Sequence, residues 1–315
     1  MSRLFNEHPI YRDGEYKITT KSTDNAYKEI LKTIRQGIPG CMLIGKNRTG
    51  KTVAIDICVA RIKKEYAGQI GVVCMIAKNA GTTSQGDFYR RMLDNFKVDY
   101  NNRLRLSELE NLAVVSIVRK AHLNEGNVVL FIDEASGMSE YDFKYLMNIY
   151  NRVKATGVRM TTILVGTPVL EIKKEKFKGI GETQIVARFM TRKFSFDAIN
   201  SAADLQIVLA AYDTYLKYDD ISYTEYFFCD AFKEGKRISS IEDSKMIFDL
   251  FKKEIKVPMN GDMQILMQHL CIAVRIVFTT FGADGEEKYW PDENDWRYAI
   301  KESGFKNDTV SGVQV

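Results

Sequence analysis

The sequence predicts an α/β protein in which a parallel sheet is flanked by helices and followed by a small all-helical domain. Three observations predict it. Short, β-branched apolar runs alternate with helical periodicities through the first two hundred or so residues, the pattern of a parallel sheet covered on both faces. One of these runs opens straight into a glycine-rich, phosphate-binding loop. Beyond Asn200 the strand signals fade and helical ones take over.

Taken in order, residues 20–35 place Ala26, Ile30, Leu31 and Ile34 on one helical stripe. The apolar run 41–44 ends in a glycine-rich turn, and 51–66 reads as a helix. Residues 71–77, GVVCMIA, read as a strand buried on both faces. Helices over 87–96 and 107–123 lead to a third run at 128–132. A helix over 141–153 precedes a fourth run at 161–165, and 193–196 supplies a fifth strand. Helices follow over 202–218, 241–255 and 263–279. The expected organisation is an N-terminal extension and helix (1–38), an α/β nucleotide-binding domain (39–200), a helical domain (201–281) and an acidic tail (282–315).

Composition narrows the class. With 45% hydrophobic and 27% charged residues over 315 positions, the chain is not a disordered one. No apolar run approaches the roughly 20 residues that span a bilayer. Residues 1–13 lack the apolar stretch of a secretory signal, which points to the cytosol and to no membrane partner. Cys41, Cys58, Cys74, Cys229 and Cys271 form no Cys-x-x-Cys pair, and only His8, His122 and His269 could join them. Zinc and a disulfide framework are both disfavoured, and the cysteines read as small buried hydrophobes. The 45 basic against 41 acidic residues leave a net +4, which is no signature of a strongly basic nucleic-acid binder. If DNA is a partner, the positive charge must be concentrated locally.

Gly45-Lys46-Asn47-Arg48-Thr49-Gly50-Lys51-Thr52, followed by Val53, matches the phosphate loop G-x-x-x-x-G-K-[ST] in full, with a strand before it and a helix after. The glycines let the backbone curl so that N–H groups face phosphate oxygens, and the helix N-terminus adds its dipole. In such a loop Lys51 reaches the β- and γ-phosphates of ATP, and the Thr52 hydroxyl ligates Mg²⁺. The strand 128–132 ends in Asp133-Glu134. A buried strand ending in two carboxylates needs a cation to meet them. Asp133 is placed to hold Mg²⁺ through water, and Glu134 to polarise an attacking water. The Asp-Glu pair favours hydrolysis over transfer to a hydroxyl acceptor. The strand 161–165 ends in Gly166-Thr167-Pro168, and Thr167 at the same sheet edge can orient that water or sense the γ-phosphate.

Phosphate loop, Asp-Glu strand, polar-tipped strand and helical lid together resemble the AAA+ (ASCE) P-loop ATPases over residues 20–280. The detail looks most like the transposon-encoded target-selection ATPases of the TnsC/TniB class, with MuB and IstB more distant. The features that carry this are the compact size with an N-terminal helix feeding directly into the phosphate loop, Val165-Gly166-Thr167-Pro168 followed by a basic segment, and Gln184-Ile185-Val186-Ala187-Arg188-Phe189 before the fifth strand. The resemblance implies that Arg188 is an arginine finger acting on a neighbour's ATP, with Arg192 the alternative. It implies a ring or helical homo-oligomer of six or seven subunits per turn around double-stranded DNA. Its partners would be a transposase and a target-selection protein of the TniQ/TnsD type. The lid departs from the family pattern: no Lys or Arg lies in residues 261–266, so either Gln264 or Arg275 serves as second sensor or the lid senses nucleotide weakly.

The charge is unevenly spread. Residues 171–193 hold seven basic and three acidic side chains. Residues 90–105 hold five basic and two acidic, and the tail from Gly282 holds four basic and eight acidic. Repeated around an oligomer, a modest patch makes many phosphate contacts. Lys97, Arg103 and Arg105 are the candidate DNA-backbone contacts. Trp290 and Trp296 either dock a partner or pack back on the lid, and the packing reading is favoured. Two other readings share these motifs: a helicase or initiator loader, and a nucleotide-switched signalling ATPase that never touches DNA.

Overall fold

The computed structural model describes residues 7–12, 16–77, 84–255 and 263–306. The chain divides into two units, one of residues 23–47 and 51–196, the other of residues 1–22, 48–50 and 197–315.

The first unit holds α1 (Lys21–Arg35, whose first two residues fall in the second unit), β1 (Gly40–Ile44), α2 (Lys51–Glu65), β2 (Gly71–Ile76), α3 (Gln85–Asn95), α4 (Leu106–His122), β3 (Asn127–Asp133), α5 (Glu140–Ala155), β4 (Arg159–Gly166), α6 (Val169–Gly179), α7 (Thr183–Phe189) and β5 (Arg192–Ser195). The strands form one parallel sheet in the order β2-β3-β4-β1-β5. Side chains alternate between two cores. Met42, Leu130, Ile132 and Leu164 face one core, whereas Cys41, Leu43, Val129, Phe131, Ile163 and Val165 face the other. That period of two is why these runs carry no polar alternation: both faces are covered, and each such side chain contributes about 1.5–3 kcal/mol of burial.

β2 departs from the expectation. It is an edge strand, so Cys74 is exposed and Ile76 is 59% exposed, although Val72 and Met75 are buried. Cys229 is exposed as well, and only Cys41 and Cys58 are the small buried hydrophobes expected of all five.

The second unit contains α8 (Ala202–Asp213), β6 (Lys217–Tyr218), β7 (Ile221–Ser222), α9 (Tyr223–Phe227), α10 (Cys229–Lys233), α11 (Ile241–Ile255), α12 (Met267–Phe281) and α13 (Glu293–Glu302). It is not all-helical. The helix expected over 202–218 stops at Asp213, whose buried carboxylate accepts from Ser239 N–H at 2.9 Å, and the chain turns into the β6–β7 hairpin. The stretch expected to be a tail carries α13, opened by Asp292 accepting from Asn294 and Asp295 N–H groups. Trp296 is 1% exposed in the unit's core, and Trp290 packs on Phe228 with ring centroids 5.5 Å apart. His8 and Ile10 reach the same unit: Ile10 belongs to its core, and the His8 ring sits among Tyr218, Tyr223, Tyr226 and Phe227. Among the described residues no helix is long and apolar enough to cross a membrane.

Candidate nucleotide site

Because β4 lies between β1 and β3 and all run parallel, three strand ends meet at one edge. These are Ile44 leading into the loop, Asp133, and Gly166-Thr167. The loop is stitched to β4 by Gly45 N–H donating to Gly166 O at 3.0 Å. Arg48 (φ 62°) and Gly50 (φ 92°) adopt left-handed backbone, which bends the loop, and α2 starts at Lys51 immediately afterwards. Thr49 and Lys51 are buried, whereas Lys46, Asn47, Arg48 and Thr52 are exposed and Val53 is half-buried. Lys51 Nζ donates to the loop's own Lys46 carbonyl at 2.6 Å, so the ammonium lies inside the curl. Burial pushes its pKa below the usual lysine range, while Glu134 and then Asp133 pull it back up.

The Thr52 hydroxyl donates to Asp133 Oδ2 at 2.7 Å. Asp133 is buried, and its other oxygen accepts from Glu134 N–H at 2.9 Å, so no charge is stranded. The donor set is oxygen only, which suits a hard cation such as Mg²⁺. Glu134 is exposed and has left-handed backbone (φ 52°, ψ 31°), a conformation that costs a non-glycine residue about 1–2 kcal/mol. Both carboxylates act electrostatically on Lys51, Glu134 the more strongly.

Thr167 is held by a residue that the sequence reading missed. Ser136 Oγ accepts from Thr167 N–H at 2.7 Å and from the Thr167 hydroxyl at 3.0 Å. A Cβ on Gly166 would lie 2.3 Å from that Oγ, so the glycine keeps room for the clasp. A Ser two positions after the Asp-Glu pair was the available signal, but nothing local tells that it reaches β4.

Arg188 is not at this edge. It lies in the last turn of α7, its carbonyl would meet a Cβ on Gly40 at 2.5 Å, and its guanidinium sits over the Tyr150 ring, 5.7 Å from the centroid. Gly40 opens β1, so roughly 13 Å of strand separate Arg188 from the loop that follows Ile44. Arg192, the alternative, opens β5 at the same far edge. In the second unit Gln264 precedes α12 and Arg275 lies on it, while Gly261 and Asp262 fall outside the described residues.

Lys97, Arg103 and Arg105 lie on the connection between α3 and α4. All three are exposed, and none enters an ion pair among the described residues. In the richer segment 171–193, Lys176 pairs with Glu140, Lys178 with Glu175 at 2.8 Å and Lys193 with Glu171 at 2.9 Å. Lys173 donates to the Met138 carbonyl, and Glu182 pairs with Lys144 at 2.9 Å. Glu140 and Lys144 cancel, so the segment keeps its net +4, with Lys174, Arg188 and Arg192 outside any ion pair among the described residues.

A loop curled around a lysine, a Thr on α2 bonded to an Asp at the end of β3, and β4 between β1 and β3 define a P-loop NTPase fold. Among known proteins, the family model described as "AAA domain" matches residues 3–173, more than half of the chain. The chain belongs to the AAA domain family of P-loop ATPases. Among solved structures it is similar to the ORC2 protein of Aeropyrum pernix, determined as ADPNP–ADP complexes (14% identity, 95% of this chain and 72% of that one, TM-score 0.64). It is also similar to Cdc6p of Pyrobaculum aerophilum (13% identity, 97% and 74%, TM-score 0.58). A third is Drosophila ORC bound to DNA (12%, 90% and 60%, TM-score 0.51). At these identities the likeness is one of fold. No curated protein compared with the chain matches it.

Proposed function

We propose that the chain is an ATP-hydrolysing, self-assembling AAA+ regulator that binds double-stranded DNA and links a target-selection protein of the TniQ/TnsD type to a transposase. The observation that carries the assembly is the separation of its parts: Lys51, Thr52 and Asp133 lie on one edge of the sheet and Arg188 on the other. A single subunit cannot bring them together, so each site is completed by a second copy. When bound, ATP supplies the phosphoanhydride bond to be cleaved and Mg²⁺ offsets the charge on its phosphates. Gly45–Thr52 N–H groups and Lys51 would hold the phosphates, and Thr52 with Asp133 the metal. Glu134, exposed beside Asp133, accepts a proton from water, and Thr167, clasped by Ser136, orients that water. Arg188 of the neighbour offsets charge developing at the phosphate.

Lys97, Arg103 and Arg105 are exposed cations placed to meet DNA phosphates, and contacts of that kind carry little sequence preference. The class assignment rests on the resemblance carried by residues 165–168 and 184–189. The fold likeness to ORC2 and Cdc6p favours a second reading, an initiator or helicase loader. ATP-dependent binding to long duplex that weakens steeply with salt is the expected result. No binding with ATP or a non-hydrolysable analogue contradicts the DNA reading. Recovery of a replicative helicase with the protein, and no transposase, selects the loader.

A further inference from the structure

The sheet edge opposite the phosphate loop carries a cavity of 590 Å³. Four cations line it. Arg35 ends α1, Lys154 and Arg188 lie in the last turns of α5 and α7, and Arg159 opens β4. No residue lining the cavity is acidic, and none of the four forms an ion pair among the described residues. Arg35 donates to the Tyr66 hydroxyl at 2.6 Å and Arg188 lies over Tyr150, but neither contact cancels a charge.

Two comparisons make this unusual. Neighbouring cations on the same unit do find carboxylates: Arg152, two residues from Lys154, pairs with Glu110 at 3.2 Å, and Arg61 with Asp24 at 2.7 Å. The three helix C-termini that face this edge bring about half a negative charge each, which leaves roughly two positive charges unmatched. Three planar guanidinium groups and an ammonium suit the bidentate geometry and charge density of phosphate. Beside them, the buried Val158 and Met160 give the cavity apolar surface, and its volume lies in the range of small-molecule sites, about 300–1,000 Å³.

We propose that this cavity receives the di- or triphosphate group of a nucleotide, with Arg35, Lys154 and Arg159 acting beside Arg188. Two sources share that chemistry: free nucleotide, and nucleotide held in the phosphate loop of a second copy. In the second form the proposal rests on Arg188 acting in trans and adds Lys154 and Arg159 to it.

The test titrates inorganic tripolyphosphate calorimetrically into the full chain carrying Lys51→Ala, whose phosphate loop is disabled. Saturable binding of one tripolyphosphate per chain is expected. It should weaken about tenfold or more on adding Lys154→Gln with Arg159→Gln, both exposed positions, for the loss of charge-assisted contacts. No binding, or binding indifferent to the double substitution, overturns the proposal. Preference for nucleotide-free duplex DNA at equal phosphate concentration overturns it in favour of a nucleic-acid surface. Sedimentation with a non-hydrolysable ATP analogue and an intact phosphate loop separates the sources. Loss of assembly in the double variant identifies the second copy, and unchanged assembly identifies free nucleotide. Should mixed-subunit rescue of Arg188→Ala fail while tripolyphosphate still binds, the trans reading falls and the cavity proposal stands.

Discussion

The two edges of the central sheet differ in how their charges are met. At the C-terminal edge both signs are present and satisfied: Thr52 donates to Asp133, Lys51 to the Lys46 carbonyl, and the two carboxylates lie within electrostatic reach of Lys51. At the N-terminal edge four cations share one cavity with no carboxylate. In the proposed reading the first edge holds the phosphates with its own residues. In the same reading the second is half of an interaction, complementary to negative charge brought by a ligand or a second copy.

The largest effect expected is at the self-sufficient edge. Lys51→Ala removes the ammonium inside the loop and should weaken ATP binding by about a hundredfold or more, read with a fluorescent nucleotide. Retained affinity would mean that the curl seen around Lys51 is not the nucleotide site. Glu134→Gln keeps the loop and the Thr52–Asp133 pair, so binding should persist while hydrolysis falls roughly 10²–10⁴-fold. ATP-bound assemblies should then accumulate on DNA; their dispersal would remove Glu134 from the hydrolytic role.

Smaller effects belong away from both edges. Replacing Lys97, Arg103 and Arg105 by Ala should weaken DNA binding evenly across sequences. It should also flatten the slope of log affinity against log salt by about 0.9 per residue. An unchanged slope would exclude these residues from the interface. In the second unit, burial lowers the His8 imidazole from 6.5 to about 4, and its Nδ1 accepts from Ile10 N–H at 3.1 Å. The unfolded state therefore binds the proton first. His8's contribution is fully present above pH 6.5 and is lost as the pH falls toward 4. Melting curves at pH 7 and pH 5 should separate more for the native chain than for His8→Phe.

How much of this was legible in the sequence depended on range. The loop, Asp133 and the β1, β3 and β4 runs were visible because phosphate binding and two-sided burial both write themselves into consecutive residues. β2 was misjudged because an edge strand and a central one share the same apolar run, and only its neighbours decide the exposure of Cys74 and Ile76. The burial of Trp296 in the second unit's core agrees with the packing reading, whereas the helix end at Asp213 was set by a partner distant in sequence, Ser239. Ser136 escaped for the same reason. So did the cavity: Arg35, Lys154, Arg159 and Arg188 are ordinary helix-end and strand-start cations until parallel topology gathers them. Conversely, the basic segment 171–193, uniform in sequence, is divided in the fold: Lys176 pairs with Glu140 on another helix, whereas Arg188 lines the cavity.

The central claim is that the two edges complete each other across subunits. Its most direct measurement is the ATPase rate of Arg188→Ala chains mixed with Lys51→Ala chains, each inactive alone. The intact loop of the first and the intact arginine of the second should restore part of the native rate at mixed interfaces. A mixture as inactive as its components would contradict the claim and leave Arg188 as a cation resting on Tyr150.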